Sequence, residues 1–126
     1  MIYTIETKRS CEEVEEKVEE ESKSFGLILK KHYPFSKHLP QTGLAINNHA
    51  SVFELCKAPI AAKVLNAHPE LSLLLPCRIS IFEKEGRSYA STHDLLSLFE
   101  NLECEAQLKE EILGLYKNIT DMMKSW

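Results

Sequence analysis

The order of apolar and polar residues changes period several times along the chain, and each change marks an element. Residues 2–7 open with Ile2, Tyr3, Thr4 and Ile5 in succession, a β-prone run. From Cys11 the period becomes helical: Cys11, Val14, Val18 and Phe25 recur with charge between them. Ser10 and Glu13 fit an S-x-x-E capping box at the start of that helix. Gly26 ends it, because glycine accepts the left-handed C-terminal position. Residues 27–33 predict a second strand, stopped by Pro34, and residues 52–56 a third. Between them, residues 35–49 keep no period and carry the turn signals Pro40, Gly43 and Asn47-Asn48, which fit a short helix or a loop. Residues 58–66 predict a short helix with Pro59 in its first turn, where the missing N–H costs least.

The clearest hairpin lies in residues 77–83 and 87–93, joined by Lys84-Glu85-Gly86. Asp94 follows as the cap of a helical turn running to Phe99. A C-terminal helix over residues 103–124 carries Leu108, Ile112, Leu115, Ile119 and Met122 as one continuous stripe, suited to covering a sheet. The order β-α-β-β-(α)-β-β-α predicts an α+β fold: a mostly antiparallel sheet with helices packed on one face and the other face left open.

Composition narrows the class. A chain of 126 residues predicts a single domain. Its apolar runs fall short of the roughly 18–20 residues of a membrane span, and its first ten residues lack a signal-peptide layout. A cytoplasmic protein is expected, with no membrane partner. The net charge of −4 argues against nucleic acid as a partner, since such affinity comes mainly from Lys and Arg at phosphates. Much of the acidity is local, with seven glutamates between Glu12 and Glu21 on the wet face of the first helix. Cys11, Cys56, Cys77 and Cys104 are scattered without a CxxC, which predicts free thiols rather than a disulfide framework.

The segment Pro69-Glu70-Leu71-Ser72-Leu73-Leu74-Leu75-Pro76-Cys77 closely resembles a motif of the family catalogued as domain of unknown function three-hundred-and-two. That family shows Pro-Glu-Ile-Gly-Leu-Leu-Leu-Pro-Cys there, preceded by an aliphatic strand ending Cys-Asn-Pro and a helix. Cys56 falls in register with the first of these motifs without gaps, while Lys57 and Ala58 stand in place of the asparagine and proline. The resemblance runs from about Val52 to Asp94. It implies a TATA-binding-protein-like α+β fold, often a homodimer, and supplies no catalytic residues or cofactor.

Strand alternation sorts the remaining chemistry by face. With Glu85-Gly86 as the hairpin loop, Lys84 faces Arg87 and Arg78 lies opposite His93. Cys77, Ile79, Ile81, Ala90 and Thr92 then form the core face, and Arg78, Ser80, Phe82, Tyr89, Ser91 and His93 the open one. Glu54 and Cys56 turn to the open face as well. Antiparallel pairing of the third strand with the Cys77 strand, across an extended return through residues 67–76, gathers Glu54, Cys56, Arg78 and His93 as the candidate ligand-binding residues. A cation beside Cys56 favours its thiolate. The same parity points Cys56 and Cys77 to opposite faces, against a redox pair.

No ligand spacing marks a metal site, although His32 and His38 flank a proline-containing loop and His49 follows it. Glu54 and Glu83 do not make an acid/base pair, and the four glycines are isolated, so no phosphate-cradling loop is present. The function expected is a homodimeric binding or interaction module holding a small ligand or partner. The alternative is a thiol-dependent enzyme or redox sensor centred on Cys56. These are separated by whether an ordered binding surface or a reactive thiol occupies the open face.

Overall fold

A computed structural model describes residues 2–101 and 103–126. Five strands form one antiparallel sheet: β1 (Ile2–Glu6), β2 (Ile28–Tyr33), β3 (Ala50–Cys56), β4 (Cys77–Lys84) and β5 (Arg87–His93), in the order β1-β5-β4-β3-β2. The first two strands therefore occupy opposite edges. They run in the same direction and are joined by α1 (Cys11–Glu21), which crosses the back of the sheet.

Local chemistry explains where α1 begins and stops. Ser10 accepts from the Glu13 amide at 3.2 Å, and the Glu13 carboxylate reaches back to the Ser10 amide at 3.4 Å. Cys11, Val14 and Val18 form its buried stripe. The predicted extension to Phe25 is present as a 3-10 turn, Ser22–Phe25, closed by Gly26 at φ 76°. An alanine at Gly26 is expected to destabilise the fold by about 1 kcal/mol, because its Cβ disfavours that left-handed conformation. Chemical denaturation checks this, and an unchanged midpoint would contradict it.

The core lies between the sheet and the helices. Phe53, Leu55, Ile79, Ile81 and Ala90 are fully enclosed on the helix side. The helix α5 (Ala106–Lys124) lays Leu108, Ile112, Leu115, Ile119 and Met122 onto this layer, as its stripe predicts. Beside it packs α3 (Ala58–Ala67), and Lys63 on α3 bonds Glu111 on α5 at 2.7 Å. The short α4 (Leu95–Phe99) is capped by Asp94, whose carboxylate accepts from the Ser97 amide and hydroxyl.

Two parts depart from the sequence pattern, the 67–76 return and the β2 register, and the 35–49 segment resolves an open alternative. Residues 67–76 are not an extended return: Pro69–Leu74 coil into a 3-10 turn that buries Leu71. The unpatterned segment 35–49 begins with a helical turn α2 (Phe35–His38) and a 3-10 turn Leu39–Thr42, then continues irregularly. Strand β2 carries a register shift between Leu29 and Lys31. This bulge keeps Ile28 and Lys31 both opposite residues of the open face.

Candidate functional site

The hairpin and the β3–β4 ladder position the site. Glu85 and Gly86 adopt φ 54° and 78°, so the two-residue loop holds Lys84 opposite Arg87. The ladder continues to Ile79 opposite Thr92, one pair short of the expected Arg78–His93 pair. His93 instead has Ile2 of β1 as its cross-strand partner. In β3, Glu54 stands directly opposite Arg78 and Leu55 opposite Cys77.

This register makes Glu54 the group that Arg78 meets. Arg78 Nη2 lies 3.2 Å from Glu54 Oε2, and Tyr33 Oη donates to Glu54 Oε1 at 2.7 Å. The Glu54 side chain is 11% exposed and that of Arg78 45%. Removing a carboxylate from water is costly unless charged or hydrogen-bonding partners replace the solvent. Arg78 supplies the charge and Tyr33 the hydrogen bond, so each carboxylate oxygen has a partner. The guanidinium is anchored from beneath while its other N–H groups stay near solvent. Lys31, the cross-strand neighbour of Glu54, turns to the Tyr33 ring instead, with Nζ 4.7 Å from its centroid.

Two hollows meet at Arg78. One, about 190 Å³, lies along the uncovered sheet and is lined by Ile2, Val52, Ser80 and Ser91 besides Arg78 and His93. The other, about 110 Å³, sinks between the Pro69–Leu74 turn and α4, walled by Leu73, Leu74, Leu95 and Leu98. Arg78, Thr92 and His93 line both. The Thr92 hydroxyl donates to the Arg78 carbonyl at 2.8 Å, which pins the strands at this junction.

The four candidate residues thus separate into a fixed pair and two neighbours. Glu54 and Arg78 are joined, and His93 shares the hollows with Arg78. Cys56 lies on the same face but at the end of β3, in register with Ile28. Both Cys56 and Cys77 are free thiols. They occupy opposite faces, Cys56 half-buried and Cys77 enclosed. Burial pushes the Cys77 thiol up to about 11, with a smaller contribution from neighbouring Cys56. Burial likewise raises the Cys11 thiol.

A cluster that sequence reasoning missed sits on the opposite side of the sheet. Glu15 of α1 accepts from the Ser51 hydroxyl and lies 2.9 Å from His49 Nε2 and 3.6 Å from His32 Nε2. The His32 ring stacks on Phe53 at 4.1 Å between centroids and 5° between planes. His49 Nδ1 also faces Glu12 at 3.6 Å. These contacts tie the end of the 35–49 segment to α1. Among the described residues, no group of three or more His, Cys, Asp or Glu is arranged to hold a metal ion.

A five-stranded antiparallel sheet with helices packed on one face, and Arg78 anchored on the other, defines an α+β class. The sequence model of the family described as "Domain of unknown function DUF302" matches residues 3–126, and the chain belongs to that family. Among solved structures it is similar to the crystal structure of an uncharacterized conserved DUF302 protein from Bacillus stearothermophilus. The two share 21% identity, the match covers 98% of this chain and 96% of that one, and the TM-score is 0.83. That likeness shows the fold. No curated protein matches the chain.

Proposed function

We propose that the protein is a non-catalytic binding module, a cytoplasmic homodimer that holds a small ligand against its uncovered sheet face around Glu54, Cys56, Arg78 and His93. The observation that carries this reading is the placement of Glu54. A nearly buried carboxylate holds one arginine, between two hollows, on the face opposite the core that α1, α3 and α5 cover. Such an arrangement aims a charged group outward and keeps its side chain from wandering, which lowers the ordering cost of binding. The dimer part draws support from apolar side chains left in water on and beside that face, with Ile2 at 68% exposure and Ile28 at 49%. No described helix is long and apolar enough to cross a membrane.

A thermal-shift panel of small carboxylates, amines, phosphates and neutral alcohols tests the binding reading. At least one class is expected to raise the wild-type Tm by several degrees and to lose that effect in Arg78→Gln. No stabilising class, or stabilisation equal in the variant, would contradict it. Sedimentation tests the assembly, where a monomer at all practical concentrations would overturn the dimer.

The thiol reading retains one supporting observation: Cys56 is half-exposed on the same face as Arg78. Alkylation of wild type and Cys56→Ser separates it from simple binding. A Cys56 that reacts no faster than a free small thiol leaves that reading without support.

A further inference from the structure

We infer that the ligand is a short-chain aliphatic carboxylate, its head on Arg78 and His93 and its tail between the Pro69–Leu74 turn and α4. This rests on the binding reading above and names the ligand's chemistry. Three hollows adjoin in series through shared lining residues. The sheet-face groove and the 110 Å³ cavity share Arg78, Thr92 and His93. That cavity in turn shares Leu74, Cys77 and Leu95 with a deeper crevice of about 20 Å³, whose lining is apolar throughout. The polar groups of the 110 Å³ cavity gather where it meets the groove, at Arg78, Thr92 and His93, and the crevice beyond Leu74 and Leu95 has none, which is the profile of an amphipathic guest.

The polar end is selective for an anion. Arg78 offers planar N–H donors beyond the one facing Glu54, and a carboxylate matches that fork. His93 lines the same mouth, and its imidazole can donate from whichever ring nitrogen carries a proton. Asp94, the nearest acid in sequence, does not compete, because its carboxylate is turned to the Ser97 amide and hydroxyl at 3.3 and 2.9 Å. Glu54 is already satisfied by Arg78 and Tyr33. The apolar end is walled by Leu73, Leu74, Leu95 and Leu98, and Leu73 is 84% exposed. A bound alkyl chain would cover part of it.

Size sets the length. A cavity of about 110 Å³ is well below the roughly 300–1,000 Å³ of sites for drug-sized ligands. The tail is therefore a few carbons long. A bulky fatty acyl chain does not fit without displacing core leucines.

Calorimetric titration of acetate, butyrate and hexanoate, with hexylamine and hexanol as controls, tests the inference. Affinity is expected to rise about fourfold per added methylene until the cavity is filled, and both controls are expected to bind at least tenfold more weakly than hexanoate. Arg78→Gln should weaken hexanoate at least tenfold. Leu98→Trp, which fills the cavity and leaves the arginine, should abolish the chain-length dependence. It also keeps the test valid if Arg78→Gln fails to fold. Equal affinity for acetate and hexanoate, equal binding of hexanol, or insensitivity to both variants would overturn the carboxylate assignment. If hexanoate does not bind while another class acts through Arg78, this inference fails and the binding reading stands. If no class does so, both fail.

Discussion

Replacing Phe53 with alanine is expected to lower the folding free energy by about 3–5 kcal/mol, the range for deleting a buried aromatic ring. Phe53 is fully enclosed, sits in the middle strand of the β2-β3-β4 ladder, and carries the stacked His32 ring on its flank. The loss combines the transfer energy of the ring with a cavity that rigid strands cannot close. It is a large fraction of the roughly 5–15 kcal/mol that holds a domain of this kind together. Phe53→Leu, which keeps most of the volume, should cost only about 1–2 kcal/mol. A double-mutant cycle with His32→Ala should return a coupling of about 0.5–1.5 kcal/mol. Urea denaturation gives all three values. Near-neutral behaviour of Phe53→Ala would mean that this position is not in the core.

The second large effect depends on pH. Burial holds the folded Cys77 thiol at about 11 against an ordinary value of about 9. The folded state thus keeps its proton between those values while the unfolded chain releases it. The corresponding stability is fully present below the ordinary value and is lost as pH rises through the folded one. About 2–3 kcal/mol should disappear over that window from this group alone, at about 1.4 kcal/mol per unit. Lysines and tyrosines titrate there too, including Tyr116, whose hydroxyl burial also pushes upward. The comparison that isolates Cys77 is therefore the difference between wild type and Cys77→Ala across alkaline pH. The wild-type advantage should shrink as pH rises. An unchanged difference between the two proteins would show that Cys77 titrates as an open thiol. In the folded protein at pH 8, Cys56 and Cys104 should be alkylated well before Cys77.

Much of the fold is legible because it depends on neighbours in sequence. The hairpin register follows from two residues, Glu85 and Gly86, that both adopt positive φ. The Ser10–Glu13 box and the five-residue stripe of α5 follow from spacings of three and four. The same alternation correctly turns Cys56 and Cys77 to opposite faces.

What distance in sequence hides is the partner of each polar group. Alternation puts Glu54, Cys56 and Arg78 on one face, yet only the β3–β4 register shows that the carboxylate, and not the thiol, faces the arginine directly. Tyr33, the second anchor of Glu54, reaches it past a bulge in β2 that no residue pattern announces. Glu15, His32, His49 and Ser51 come from three separate stretches and meet only because α1 crosses that edge of the sheet. Strict alternation from Leu29 would turn His32 to the open face, and only the bulge brings it to the Phe53 face, so no local pattern points toward this cluster. The pairing of β1 with β5 joins residues 2–6 to residues 89–93 and has no local trace.

The central claim is that Glu54 and Tyr33 hold Arg78 ready for a ligand on the bare face. The most direct measurement is an amide chemical-shift map of the wild-type protein with hexanoate, hexylamine and inorganic phosphate added in turn. The account predicts saturable shifts centred on Arg78, Thr92 and His93, strongest with hexanoate and extending to Leu74 and Leu95. Shifts confined to the helix side of the sheet, or none at Arg78 and His93 with any of the three, would contradict it.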